Sequence, residues 1–191
     1  RGLGDVYKRQ HKKGEGNNSF RSAATNKIQK KVDARAYNHN QDSFTIENII
    51  RWFDYWRERP GTGDRVSSGG VKIIFSDTNT HFRGVENYRR SGVTDAMRIP
   101  KDPFFAHQVM WDGWVDIENP RIHIIGHWNY KEGIVKPVYV VSSAEKVELF
   151  LNGTSLGYGN RDHHFLYTFE NVAFAAGKLE AVGYDENGTE C

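Results

Sequence analysis

The sequence predicts a chain in two parts, an α/β segment followed by an all-β sandwich. Three observations carry this reading. Ile46, Ile49, Ile50, Phe53 and Trp56 recur at helical spacing, and a short apolar run follows at 70–76. After residue 120 the apolar period drops to two. Turn residues then recur between the alternating runs, as they do in sandwiches built from short strands.

Taken in order, residues 1–10 (RGLGDVYKRQ) have no initiator Met and no periodic pattern. They resemble translated adapter sequence and are set aside from fold reasoning. Residues 11–42 are polar, with Lys27, Lys30 and Lys31 read as a solvated face. Residues 43–58 form the clearest helix. Asp42 or Ser43 caps its start, Pro60-Gly61 ends it, and Trp52 and Tyr55 widen its apolar stripe. Residues 61–70 are a Gly/Ser-rich loop, and GVKIIFS at 70–76 reads as a strand. Helix, short loop and apolar strand together spell an α/β parallel sheet. Residues 86–99 are irregular. Residues 101–111 read as a helix with Pro103 in its first turn, and 112–120 as a linker.

Five strands are expected beyond it, at 121–128, 135–142, 146–151, 165–172 and 178–184. The turn signals between and after them are Lys131-Glu132-Gly133, Asn152-Gly153, Asn160-Arg161-Asp162, Ala176-Gly177 and Asn187-Gly188. The chain stops just after the last of these, where a returning strand is expected, so both ends read as truncated.

Composition narrows the function classes. The chain has 191 residues, 38% of them hydrophobic and 13% aromatic, so a packed core is expected. Mean hydropathy is −0.69, and no apolar run approaches the ~20 residues of a membrane helix. The formal charge of +2 suggests a polyanion partner, but residues 1–10 account for it: the rest carries 23 residues of each sign. Nucleic acid is therefore not expected as a partner. The single Cys191 excludes an internal disulfide framework.

The run SGVTDAMRIPKDPFFAHQVMWDG resembles the final barrel helix of glycoside hydrolase family 2, the β-galactosidase and β-glucuronidase group. VYVVSSAEKVELFLNGTSLG and GKLEAVGYDENGTE resemble the immunoglobulin-like domain that follows the barrel. The resemblance spans about residues 43–190. It implies a multidomain fragment: the C-terminal part of a (β/α)8 barrel over residues 11–112, a linker at 113–120 and a truncated immunoglobulin-like β-sandwich over 121–191. Residues 43–58 then correspond to the seventh barrel helix, 71–76 to the eighth strand and 101–111 to the eighth helix.

It also implies a retaining glycosidase acting on terminal β-glycosidic bonds, with β-galactosides as the first expectation and no cofactor. Such enzymes use an acid/base carboxyl and a nucleophilic carboxylate ~5 Å apart. In this family both glutamates sit at strand ends that would lie upstream of residue 43, so the chain alone is expected to be inactive. Glu47 is expected to be solvated or ion-paired within its helix, Glu86 to lie in the loop after the eighth strand, and Glu15 has no context.

One wall of the sugar site is expected to remain. Asp77, Asn79, His81 and Arg83 follow the apolar strand, and sugar hydroxyls need such donors and acceptors. The rival reading has Asp77 and Asn79 shaping the loop through side-chain turns. Trp111 and Trp114 either stack on a sugar or, as favoured here, fill the junction between barrel and sandwich.

His123 and His127, four apart on an expected strand, would share a face, and His163-His164 add two more. Without cysteines or a clear carboxylate partner no metal site is assigned. Asn17, Asn152 and Asn187 fit N-x-S/T, but turn geometry explains the last two. GTGDRVSSGG lacks the Lys-Ser/Thr ending of a phosphate loop.

The expected partner is thus a β-linked glycoside or oligosaccharide. The alternative is a non-catalytic carbohydrate-binding or spacer sandwich. Exposed aromatics on one sheet face would favour binding, and a polar face would favour a spacer. A periplasmic or secreted bacterial setting is compatible with the sequence.

Overall fold

The computed structural model describes residues 46, 47, 49, 50, 53, 61–62, 65–66, 74–78 and 91–191. The chain divides into two compact units, Arg1–Lys101 and Asp102–Cys191.

In the first unit, Ile46, Glu47, Ile49, Ile50 and Phe53 are helical, and the three isoleucines are buried, as the stripe requires. Trp52, Tyr55 and Trp56 lie outside the described residues. Of the two alternatives expected for Glu47, burial excludes solvation, because it is only 8% exposed. It precedes Ile50 by three residues and therefore borders the buried stripe. Where a plain loop was expected, β1 (Gly61–Thr62) and β2 (Arg65–Val66) form a small antiparallel hairpin. Of the expected strand at 70–76, only residues from Ile74 are described. There Ser76 makes a single parallel bridge to Thr94.

The second unit begins with helix α1 (Asp102–Val115), which runs four residues past its expected end at 111. Gly113 does not break it. A Cβ at that position would lie 3.4 Å from the Cβ of Ser143, so Gly113 lies close to the turn between β4 and β5.

Seven strands follow. They are β3 (Ile122–Ile124), β4 (Val135–Ser142), β5 (Lys146–Leu151), β6 (Thr154–Tyr158), β7 (Asn160–His163), β8 (Leu166–Ala173) and β9 (Leu179–Tyr184). They pair antiparallel in two sheets, ordered β3-β4-β8-β7 and β6-β5-β9. The β-sandwich expected from the period of two is therefore present. Asn152 and Gly153, with φ of 53° and 79°, make the tight turn between β5 and β6.

Two expectations fail locally. Asn160-Arg161-Asp162 has turn composition but belongs to β7, with Asn160 opposite Thr168 and Arg161 opposite Tyr167. The chain reverses instead near His164, at φ 49°. β3 is also far shorter than 121–128, and Gly126 at φ 85° lies just beyond its end. His127 consequently leaves the strand.

The core between the sheets is Val138, Val140, Val147, Leu149, Tyr167, Phe169 and Val172, with Ile124, Trp128, Leu179 and Ala181 packed against it. Each such side chain contributes roughly 1.5–3 kcal/mol by burial. Tyr167 is 1% exposed. Its hydroxyl donates between the carbonyls of Ala144 at 2.7 Å and Glu145 at 2.9 Å. Burial pushes its pKa up to about 12. Among the described residues no helix is long and apolar enough to cross a membrane.

Candidate functional site

The loop expected to carry sugar-binding residues begins at Asp77. Its backbone leaves the bridge at Ser76 in a defined direction. Phe75 carbonyl oxygen accepts from Val93 N–H at 2.8 Å and Thr94 N–H at 3.0 Å, and Asp77 N–H donates to Thr94 at 3.0 Å. The hydroxyls of Ser76 and Thr94 are 2.9 Å apart, and Thr94 is buried.

The Asp77 carboxylate then ties three parts of the chain together. Oδ1 accepts from Gly92 N–H at 2.8 Å and from Lys101 Nζ at 2.9 Å, while Oδ2 accepts from the same Nζ at 3.0 Å. Gly92 has to be glycine here: a Cβ would come within 2.4 Å of Asp77 N and the Ser76 carbonyl carbon. Asp95 holds the next turn by accepting from Met97 and Ile99 N–H, each at 2.8 Å.

The resulting arrangement is a braced loop root. A half-buried carboxylate held by a cation and an amide has little freedom to rotate, so it fixes the chain at this point. Asn79, His81 and Arg83 lie outside the described residues, as do Glu15, Glu86 and Asn17. Asp77 is thus placed with Lys101 and Gly92. Lys101 was not singled out in the sequence, although the dipeptide Pro100-Lys101 stands within the segment that carries the resemblance.

Other expected residues fall elsewhere. Trp111 is 59% exposed. His123 and His127 do not share a face. His123 Nε2 lies 2.9 Å from Asp102 Oδ1, and its ring stacks on Phe105 at 4.0 Å. Asp102 Oδ2 also accepts from Gly126 N–H, so this carboxylate joins the start of α1 to the end of β3. His127 stacks on Tyr130 at 4.6 Å in the β3–β4 loop. No group of three potential metal ligands occurs among the described residues. Asn152 spends its side chain on structure, donating to Ala176 and accepting from Lys178 N–H.

Comparison with known proteins gives these features a setting. Residues 133–191 match the family described as Domain of unknown function (DUF4982). A β-glucuronidase from Formosa agariphila is 35% identical over 160 residues, covering 80% of this chain and 16% of that protein. A β-galactosidase from Bacteroides ovatus is 28% identical over 92 residues, covering 48% of this chain and 10% of that protein. Among solved structures, a β-glucuronidase from glycoside hydrolase family 2 superposes with a TM-score of 0.55 at 30% identity, over 84% of this chain and 17% of that one. The chain therefore spans about a sixth of the length of the first of these curated relatives.

Proposed function

Because the chain belongs to glycoside hydrolase family 2, we propose that it is a region of a retaining glycosidase whose first substrate class is β-glucuronides rather than β-galactosides. The observation that carries the choice is the breadth of the match. Similarity to a β-glucuronidase runs over 80% of the chain, against 48% for the β-galactosidase. Arg83 adds a chemical reason, since a guanidinium in the sugar loop suits the carboxylate that distinguishes a uronide from a neutral hexoside.

In this reading residues 11–112 end a (β/α)8 barrel, 113–120 link, and 121–191 form an immunoglobulin-like module. The two sheet orders support the last assignment, because they follow the two-sheet division of that fold. Asp77 orients the loop, and Asn79, His81 and Arg83 contact the sugar. The acid/base and nucleophilic glutamates come from barrel strands outside this chain.

The test is the full-length enzyme that contains this chain. It should hydrolyse p-nitrophenyl β-glucuronide with retention. Arg83→Ala should raise KM for the glucuronide by roughly tenfold or more while leaving the galactoside little changed. Hydrolysis of the galactoside alone would reverse the substrate assignment, and hydrolysis of neither would remove the glycosidase reading.

A further inference from the structure

The outer face of sheet β6-β5-β9 carries a cluster that the loop around Asp77 does not use. On β5, Val147 and Leu149 are fully buried, so Lys146, Glu148 and Phe150 project to the other face. The register sets Tyr158 of β6 opposite Glu148, and Tyr184 of β9 opposite Lys146. These tyrosines stand on the two strands that flank β5. Even so, their ring centroids are 6.0 Å apart with planes at 65°, so the rings meet over the central strand. Tyr158 is 62% exposed.

Beside the rings, Glu148 is fixed from two sides. It accepts from the Tyr184 hydroxyl at 3.0 Å and from the Ser155 hydroxyl. The hydrogen bond to Glu148 raises the Tyr184 pKa, so the phenol keeps its proton and donates it inward. Ser155 Oγ also accepts from Gly157 N–H at 3.1 Å, which leaves it one lone pair, while the Tyr184 hydroxyl and the carboxylate keep further acceptor capacity.

The face thus combines an exposed aromatic ring with an ordered set of hydrogen-bond acceptors. A pyranose offers the complement: an apolar C–H face for the ring and equatorial hydroxyls as donors. A carboxylate at the centre of the face disfavours uronates, phosphates and nucleic acid. It equally disfavours an apolar helix, which would leave that charge buried without compensation.

We propose that this face binds a neutral β-linked oligosaccharide, with Tyr158 as the stacking platform and Glu148, Tyr184 and Ser155 accepting from sugar hydroxyls. The ligand class follows from the face itself, so failure of the glucuronidase reading leaves this inference standing.

The experiment titrates the 191-residue chain, isotopically labelled, with cellotetraose, β-1,4-galactotetraose and a tetraglucuronate, following amide shifts. Saturable binding of at least one neutral probe is expected, with Kd on the order of 0.1–10 mM. The shifts should cluster at Glu148, Tyr158 and Tyr184. Tyr158→Ala should weaken binding roughly tenfold, and Tyr158→Phe should stay within about twofold, because the ring face is the contact. Tyr158 is exposed, so neither variant should alter the fold, and an unchanged amide spectrum elsewhere checks this. Absence of saturable binding by either neutral probe at about tenfold the upper Kd overturns the proposal. So do shifts clustered away from this face, full affinity in Tyr158→Ala, or equal binding of the tetraglucuronate.

Discussion

The sandwich and the segment around Asp77 are held together by different means. In the sandwich, seven strands pair along their length, and Val140, Val147 and Leu149 disappear completely into a core shared by the two sheets. Around Asp77, the described backbone pairs through single bridges at Ser76, Thr94 and Pro100, and one carboxylate joins Gly92 to Lys101. The first arrangement draws on apolar burial, which is large and needs no exact partner. The second draws on a few directed bonds, each small in net free energy but strict in geometry. One region rests on burial, and the other on directed bonds.

Substitutions should separate the two regimes, and the largest effect belongs to the core. Leu149→Ala leaves a cavity between the sheets and should destabilise the Asp102–Cys191 unit by about 2–5 kcal/mol, read from urea unfolding. A loss below about 1 kcal/mol would mean that the core is not shared between the sheets as described.

Tyr167 gives a smaller effect that depends on pH. The folded chain holds its phenol proton to about pH 12, whereas an unperturbed tyrosine releases it near 10.0. The stabilisation is fully present below pH 10.0 and is lost as the pH rises toward 12. The total is on the order of 2–3 kcal/mol. Tyr167→Phe should lose about 1 kcal/mol at neutral pH, from the bonds to Ala144 and Glu145, and should flatten the alkaline decline. An unchanged alkaline slope in this variant would contradict the assignment.

The smallest effect is expected at the loop root. Lys101→Ala removes a partly exposed cation and should shift stability by only about 0.5 kcal/mol. It should nonetheless speed amide exchange at Gly92 and Asp77 more than anywhere in the sandwich. Uniform exchange across both regions would show that the carboxylate is not what holds the loop.

The same contrast explains what was legible in the sequence. Alternation at Val147, Leu149 and Leu151 announced β5, because burial on one face imposes a period of two. Asn152-Gly153 marked the turn, because both residues need positive φ. The helical stripe at Ile46, Ile49 and Ile50 was readable for the parallel reason. By contrast, β7 was hidden. Asn160, Arg161 and Asp162 have turn composition, and an edge strand takes its conformation from its neighbour rather than from its own residues. The helix ran past Gly113 because a single interior glycine costs only about 1 kcal/mol relative to alanine, too little to end it.

At the candidate site, Asp77 could be picked out by its position after an apolar run. Its partner Lys101 stands 24 residues away, beyond the reach of any local pattern. The face formed by Tyr158, Tyr184 and Glu148 was invisible for the same reason, since it depends on register across three strands.

We propose that the reacting carboxylates belong to other parts of the enzyme, while this chain supplies a braced loop root and a sandwich. Turnover of p-nitrophenyl β-glucuronide and p-nitrophenyl β-galactoside by the purified chain tests it most directly. Release should be no faster than in buffer, with the sandwich folded in the same sample. Catalytic release by the chain alone would place a working acid and nucleophile among its own residues and contradict the claim.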